Sequence, residues 1–139
     1  MSLKNRRIFI VEDNWQNRVV YQMMLIRHEA LVYFESWGAN TIASLKKIAN
    51  VDVIVLDLTL GQGISGFDLF EQIRELPNFA TVPIVAVSAM DPAIAIPETR
   101  SKGFAGFIAK PIDIHIFPDQ LATIIAGEAI WHVGERGLS

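Results

Sequence analysis

The chain contains no cysteine, which excludes disulfides, thiolate metal sites and cysteine nucleophiles. Any metal must therefore be held by oxygen or imidazole, and the three histidines, His28, His115 and His132, share no ligand spacing. No apolar run approaches the roughly 18 residues of a membrane span. The start, Met1-Ser2-Leu3-Lys4-Asn5-Arg6-Arg7, has no signal-peptide pattern. A soluble cytoplasmic protein with no membrane partner is expected. A basic stripe is also missing: 12 Lys and Arg stand against 15 Asp and Glu, for a net charge of −3. That balance argues against direct nucleic-acid binding. What is present is 139 residues with 51% hydrophobic and 19% charged content, enough for one compact domain with a full core.

Apolar runs alternate with helical patterns along the chain. Strands are expected at residues 8–11, 30–34, 52–57, 83–88 and 106–109. Asn14 caps a first helix to about Arg27, with Val19, Val20, Met23, Met24 and Ile26 as its apolar face. A second helix runs from Asn40 to about Ala49, and Ser65 caps a third that stops before Pro77. Pro92 and Pro97 shorten the fourth helix to about residues 97–103, because proline removes a helix donor and clashes with the preceding turn. Pro118 opens the fifth, which Gly127 stops. Strands separated by helices in this way form a parallel sheet with right-handed crossovers. The expected fold is an α/β, flavodoxin-like (βα)5 doubly wound sheet of order 2-1-3-4-5. Residues 6–126 form the domain, and residues 127–139 a short tail.

The strand ends carry the chemistry. Val53-Ile54-Val55-Leu56 ends in Asp57, and Ile8-Phe9-Ile10-Val11 ends in Glu12-Asp13. The fourth run ends in Ser88, and Gly106-Phe107-Ile108-Ala109 ends in Lys110-Pro111. Three acids, a hydroxyl and an ammonium thus meet at the carboxyl rim, where open parallel sheets place ligands. Clustered carboxylates repel one another unless a cation shares the site, and such a group could hold a divalent cation and a phosphoryl group.

With these motifs in order, Val11-Glu12-Asp13-Asn14, Leu56-Asp57-Leu58, Val87-Ser88-Ala89 and Ala109-Lys110-Pro111, the chain resembles the receiver domain of two-component response regulators over about residues 6–126. The resemblance implies that Asp57 accepts a phosphoryl group from a histidine kinase or histidine phosphotransfer protein. It implies Mg2+ held by Glu12, Asp13, Asp57 and the backbone carbonyl of Thr59. Ser88 would bond the phosphoryl oxygen, Lys110 would pair with it or with free Asp57, and Phe107 would be the switch aromatic. Activity of its own would be limited to self-phosphorylation from a phosphodonor and autodephosphorylation, so the protein is not expected to be an enzyme.

Several positions depart from the family's pattern. Glu12 stands where Asp is commoner, the loop through residues 61–66 is glycine-rich and one residue longer, and Phe107 has no hydroxyl. Output is expected through the fourth helix, fifth strand and fifth helix, where Ile94, Ile96, Phe104, Ile112, Ile114 and Phe117 crowd together. That face would meet a downstream protein or form a homodimer. The competing reading is a receiver-like binding scaffold that is never phosphorylated. A flavodoxin-type FMN protein needs a phosphate loop where Glu12-Asp13-Asn14-Trp15 stands, and a haloacid-dehalogenase-type phosphatase needs a second Asp where Thr59 stands.

Overall fold

The computed structural model describes residues 2–36, 40–59 and 65–134. Its strands are β1 (Arg7–Val11), β2 (Leu31–Glu35), β3 (Val53–Leu56), β4 (Ile84–Ser88), β5 (Gly106–Ala109) and β6 (Ile130–His132). Its helices are α1 (Trp15–Ile26), α2 (Thr41–Lys46), α3 (Gly66–Arg74), α4 (Pro92–Lys102) and α5 (Phe117–Ile125), with a 3-10 turn at Pro77–Phe79. All strand pairs are parallel, in the order β2-β1-β3-β4-β5-β6.

The central strands read as near-continuous apolar runs because both faces of the sheet are covered. Their side chains alternate between two cores. Phe9, Val11, Ile54, Leu56, Ile84, Ala86 and Phe107 meet α2, α3 and α4 through Leu45, Leu69, Phe70, Ile73 and Ala95. Ile8, Ile10, Val53, Val55, Val85, Val87 and Ile108 meet α1 and α5 through Tyr21, Met24, Leu25, Phe117, Leu121 and Ile124. Tyr21 and Phe117 join the two helices of that second layer, with ring centroids 5.7 Å apart.

Four expectations change. First, α1 starts and stops as expected, with the Asn14 side chain accepting from the Asn17 amide, but its buried residues are Tyr21, Met24 and Leu25. Val19, Val20, Met23 and Ile26 are exposed. The helix carries two apolar stripes, and periodicity alone does not say which one the sheet takes. Second, α4 is longer than its prolines suggest. Pro92 occupies the first position, where a missing N–H is harmless, and Asp91 caps the helix by accepting from the Ala93 amide. Pro97 stays inside the helix, on an exposed turn where water can serve the carbonyl it leaves unpaired. The helix ends in the αL residue Gly103, φ 95°.

Third, the stretch expected as a tail supplies β6, so the sheet has six strands. Fourth, the second helix ends at Lys46 rather than at about Ala49. Of the six apolar residues crowding the expected output face, Ile94 and Ile114 are exposed, Ile96 and Ile112 are half-buried, and Phe104 and Phe117 are buried. Phe104 is taken up by Phe70, whose ring stacks on it at 4.1 Å between centroids.

The sixth strand has an unusual connection. The crossovers through α1, α2, α3 and α4 share one hand: α1 leads one way across the sheet on one face, and the others lead back on the opposite face. Such crossovers are right-handed in about 98% of cases. The link from β5 to β6 continues in the direction of α3 and α4 but runs over the α1 face, so its hand is opposite to the other four.

Candidate functional site

β1 and β3 are neighbours, and β3 is followed by β4 and β5, so their carboxyl ends form one rim. Glu12 and Asp13 follow β1, Asp57 follows β3, Ser88 closes β4 and Lys110 follows β5. The structure gathers Glu12, Asp57 and Lys110 into direct contact. The Lys110 ammonium donates to Asp57 Oδ2 at 2.8 Å and to Glu12 Oε1 at 3.1 Å. Glu12 and Asp57 are buried, and Lys110 is half-buried. Burial pulls the Lys110 pKa down, but its hydrogen bond to Asp57 and the attraction of Asp57 and Glu12 outweigh that, and the net shift is upward. Lys110 therefore stays an ammonium through the whole neutral range, the internal counter-ion to two buried carboxylates.

Each carboxylate is further tied. Asp57 Oδ1 accepts from the Thr59 amide at 3.0 Å and from the Thr59 hydroxyl at 3.2 Å. Glu12 Oε2 accepts from the Asn14 amide at 3.1 Å, and its Oε1 also accepts from Asn17 Nδ2 at 3.3 Å. The longer arm of Glu12 lets it reach back over the first turn of α1. Arg18 holds the same corner, donating through Nε to the Glu12 carbonyl at 2.6 Å and through Nη2 to the Ser36 hydroxyl at 2.7 Å. Asp13 is exposed at the rim.

Ser88 is fully buried, and its hydroxyl accepts from the Met90 amide at 3.2 Å. Phe107 is also fully buried. It pairs in register with Ala86 on one side and Trp131 on the other. Gly66 opens α3 directly against the Asp57 backbone: a Cβ there would collide with the Asp57 carbonyl oxygen and lie 2.8 Å from Leu58 Cα. Residues 60–64, with the extra loop residue, lie outside the described residues.

Sequence reading missed Asn17, Arg18 and the Thr59 side chain. Only the Asn14 cap signalled that the first turn of α1 would fold against the acids. It also gave no hint that Thr59 binds Asp57 through its amide and hydroxyl.

The donor set suits magnesium, which takes oxygen ligands, keeps several waters and needs only one or two carboxylates. Glu12, Asp13 and Asp57 offer oxygen alone. Among the described residues no three Asp, Glu or His side chains converge as a ready metal cage. These residues would therefore hold the ion through part of its water shell.

This rim, on a five-helix, doubly wound parallel sheet, defines a receiver-type protein. The response regulator receiver domain family matches residues 8–122, and the chain belongs to that family. A two-component response regulator of Oryza sativa subsp. japonica, ORR13, is 26% identical over 120 residues, covering 84% of this chain and 95% of that protein. Histidine kinase 2 of Arabidopsis thaliana is 27% identical over an alignment of 131 residues, with 80% of this chain and only 11% of the kinase covered. Among solved structures, the receiver domain of a sensor histidine kinase from Pseudomonas aeruginosa PAO1 has a magnesium ion coordinated in its active site cleft. It is 26% identical, with a TM-score of 0.76, and covers 88% of this chain and 99% of its own. The chemotaxis response regulator CheY4 of Vibrio cholerae, 20% identical with a TM-score of 0.77 over 87% of this chain and 99% of its own, shares the fold. Among the described residues no helix is long and apolar enough to cross a membrane.

Proposed function

We propose that Asp57 is the phosphoacceptor of a two-component phosphorelay, taking its phosphoryl group from a phosphohistidine of a histidine kinase or phosphotransfer protein in the cytoplasm. The observation that carries this is the Lys110 bridge, which joins the Asp57 and Glu12 carboxylates at 2.8 and 3.1 Å on the strand rim. An Asp57 oxygen attacks phosphorus in line as the phosphorus–nitrogen bond breaks, and the imidazole leaves with the bonding electron pair. Lys110 balances charge on the transferring group, and Thr59 fixes the carboxylate's orientation through Oδ1. Magnesium, held by Asp13, Asp57, Glu12 and the Thr59 carbonyl, would supply further charge neutralisation when bound. Activity of the chain's own ends with its phosphorylation and dephosphorylation.

The acyl phosphate draws Ser88 toward it, and Phe107 packs into the space this leaves. The change reaches the face of α4, β5 and α5, where a downstream protein would bind. A homodimer through that face would use Ile94 of α4 and the exposed Ile114 and Ile116 before α5, since β6 lies along the β5 edge.

The stripe on α1 is the surface for the phosphohistidine protein. Trp15, Val19, Met23 and Ile26 recur at helical spacing and are all exposed. Trp15 stands two residues past Asp13, so an apolar helix docked on the stripe would reach the rim of Asp57. A charge stripe would serve an encounter; an apolar one serves a helical partner face.

One observation favours the other reading, a scaffold that is never phosphorylated: both Asp57 oxygens already have partners, Thr59 and Lys110. Incubation with a small phosphodonor and magnesium, followed by intact-mass measurement, separates the two. The phosphoacceptor reading expects a gain of one phosphoryl mass in the native chain and none in Asp57→Asn. No gain in either protein establishes the scaffold, and equal labelling of both moves the site elsewhere.

A further inference from the structure

Trp131 lies in β6 as the register partner of Phe107 in β5, so the two side chains leave the sheet on the same face. Trp131 is half-buried against the core that contains Phe107. On its other side the guanidinium of Arg100, from α4, stands 4.8 Å from the centre of its ring. The indole thus joins β5 to α4, the two elements beside the Ser88 and Phe107 pair. The β5 edge is fitted to the strand that carries it. A Cβ at Gly106 would lie 2.5 Å from the Ile130 carbonyl oxygen and 3.3 Å from the Ile130 nitrogen, so β6 docks only because residue 106 has no side chain.

The docking is built well but held lightly. The strand is three residues long, and the crossover that delivers it has the hand opposite to the other four. Its place in the sheet leaves His132 Nδ1 buried with no hydrogen-bond partner among the described residues, which weakens its hold. Gly127, φ 100°, ends α5 and begins the short link to β6. Such an element opens and closes more readily than the central strands do.

We propose that Trp131 is a positioning residue for Phe107: docked β6 clasps the ring in its inward packing, and β6 docking and the phosphorylated form of Asp57 favour one another. The inference rests on the phosphoacceptor reading above. Phe107 is fully buried, and a ring swinging outward from the β5 edge would meet Trp131. Outward rotation therefore requires β6 to leave. Ser88 moving toward Asp57 favours the inward ring, so whatever holds the ring inward also favours the phosphorylated state. Coupling of this kind is reciprocal in binding free energy.

The test uses the full chain with beryllofluoride and magnesium, an acyl-phosphate mimic whose affinity is an equilibrium quantity. Hydrogen exchange followed by mass spectrometry should show residues 128–134 exchanging several-fold more slowly once the mimic is bound. Trp131→Ala should weaken beryllofluoride affinity several-fold, and Trp131→Phe should restore most of it. A merely structural tryptophan would lower stability without moving that affinity. Unchanged or faster exchange in residues 128–134 with the mimic bound overturns the clasp and leaves the phosphoacceptor reading standing. If beryllofluoride does not bind at all, while the native chain gains no phosphoryl mass, both fall. The wild-type exchange measurement needs no variant, so a poorly folding Trp131→Ala does not protect the inference.

Discussion

Two groups next to the acid rim are held protonated by the fold, and both act on stability in the same direction. The Tyr21 phenol is pushed far up, first by burial and then by the charges of Glu12 and Asp57. Lys110 is raised because its hydrogen bond to Asp57 and the charges of Asp57 and Glu12 outweigh its burial. A group whose folded pKa is raised stabilises the protein fully below its unfolded pKa and loses that contribution as pH rises toward the folded one. The unfolded values are about 10 for tyrosine and about 10.4 for lysine. Stability measured by urea unfolding should therefore show no loss from either group up to about pH 9.5. Above about pH 10 stability should fall by roughly 1.4 kcal/mol per pH unit from Tyr21, with Lys110 adding a loss in the same direction. Tyr21→Phe should reduce that alkaline slope by about one group's share, and an unchanged slope would show that the buried phenol is not a source. The rim residues were legible as residue types: a carboxylate or ammonium after an apolar run shows itself in the letters. Their bonding was not, because Glu12's contact with Asn17 and Asp57's contact with Thr59 depend on how far each arm reaches after the chain has turned.

The helices show where pattern and chemistry part. Four of the five described helices begin within a residue of where the sequence places them, and α4 begins five residues earlier than expected; Asn14, Ser65 and Asp91 accept the first free amides of α1, α3 and α4. Orientation was harder to read. The apolar letters of α1 divide into a buried set at 21, 24 and 25 and an exposed set at 15, 19, 20, 23 and 26, and both sets satisfy helical spacing. Only the position of the sheet decides between them. Proline was over-weighted in α4, where Pro92 starts the helix and Pro97 merely weakens it. Pro97→Ala should restore a backbone donor toward the Ala93 carbonyl and remove the ring's clash, raising stability by about 1 to 3 kcal/mol. A melting temperature unchanged or lowered in this variant would mean that the helix has already relaxed around the ring. Strand β6 escaped notice because Ile130-Trp131-His132 is short and sits between glycines, with nothing in its letters to separate it from a tail.

At the level of the whole molecule, two apolar surfaces lie on different sides of one rim: the α1 stripe, and the exposed isoleucines of α4 and the segment before α5. Under the proposed function the first would serve delivery and the second output, so they should fail independently. Met23→Glu adds charge to an exposed position and should change stability by no more than about 0.5 kcal/mol. It should slow phosphotransfer from a phosphohistidine protein at least several-fold while leaving labelling by a small phosphodonor intact. Equal loss with both donors would place the defect in the site rather than on the stripe. Strand β6 has one more consequence, for solubility. Without it, the outer side of β5 would present Gly106-Phe107-Ile108-Ala109, four buried apolar residues with unpaired backbone groups, an open template on which a neighbouring chain could add strand after strand. A three-residue strand with half-buried side chains closes that template and offers too short a row of backbone groups for another chain to extend. The sheet thus stops at a boundary that discourages strand-by-strand addition, the expected consequence of so short an edge.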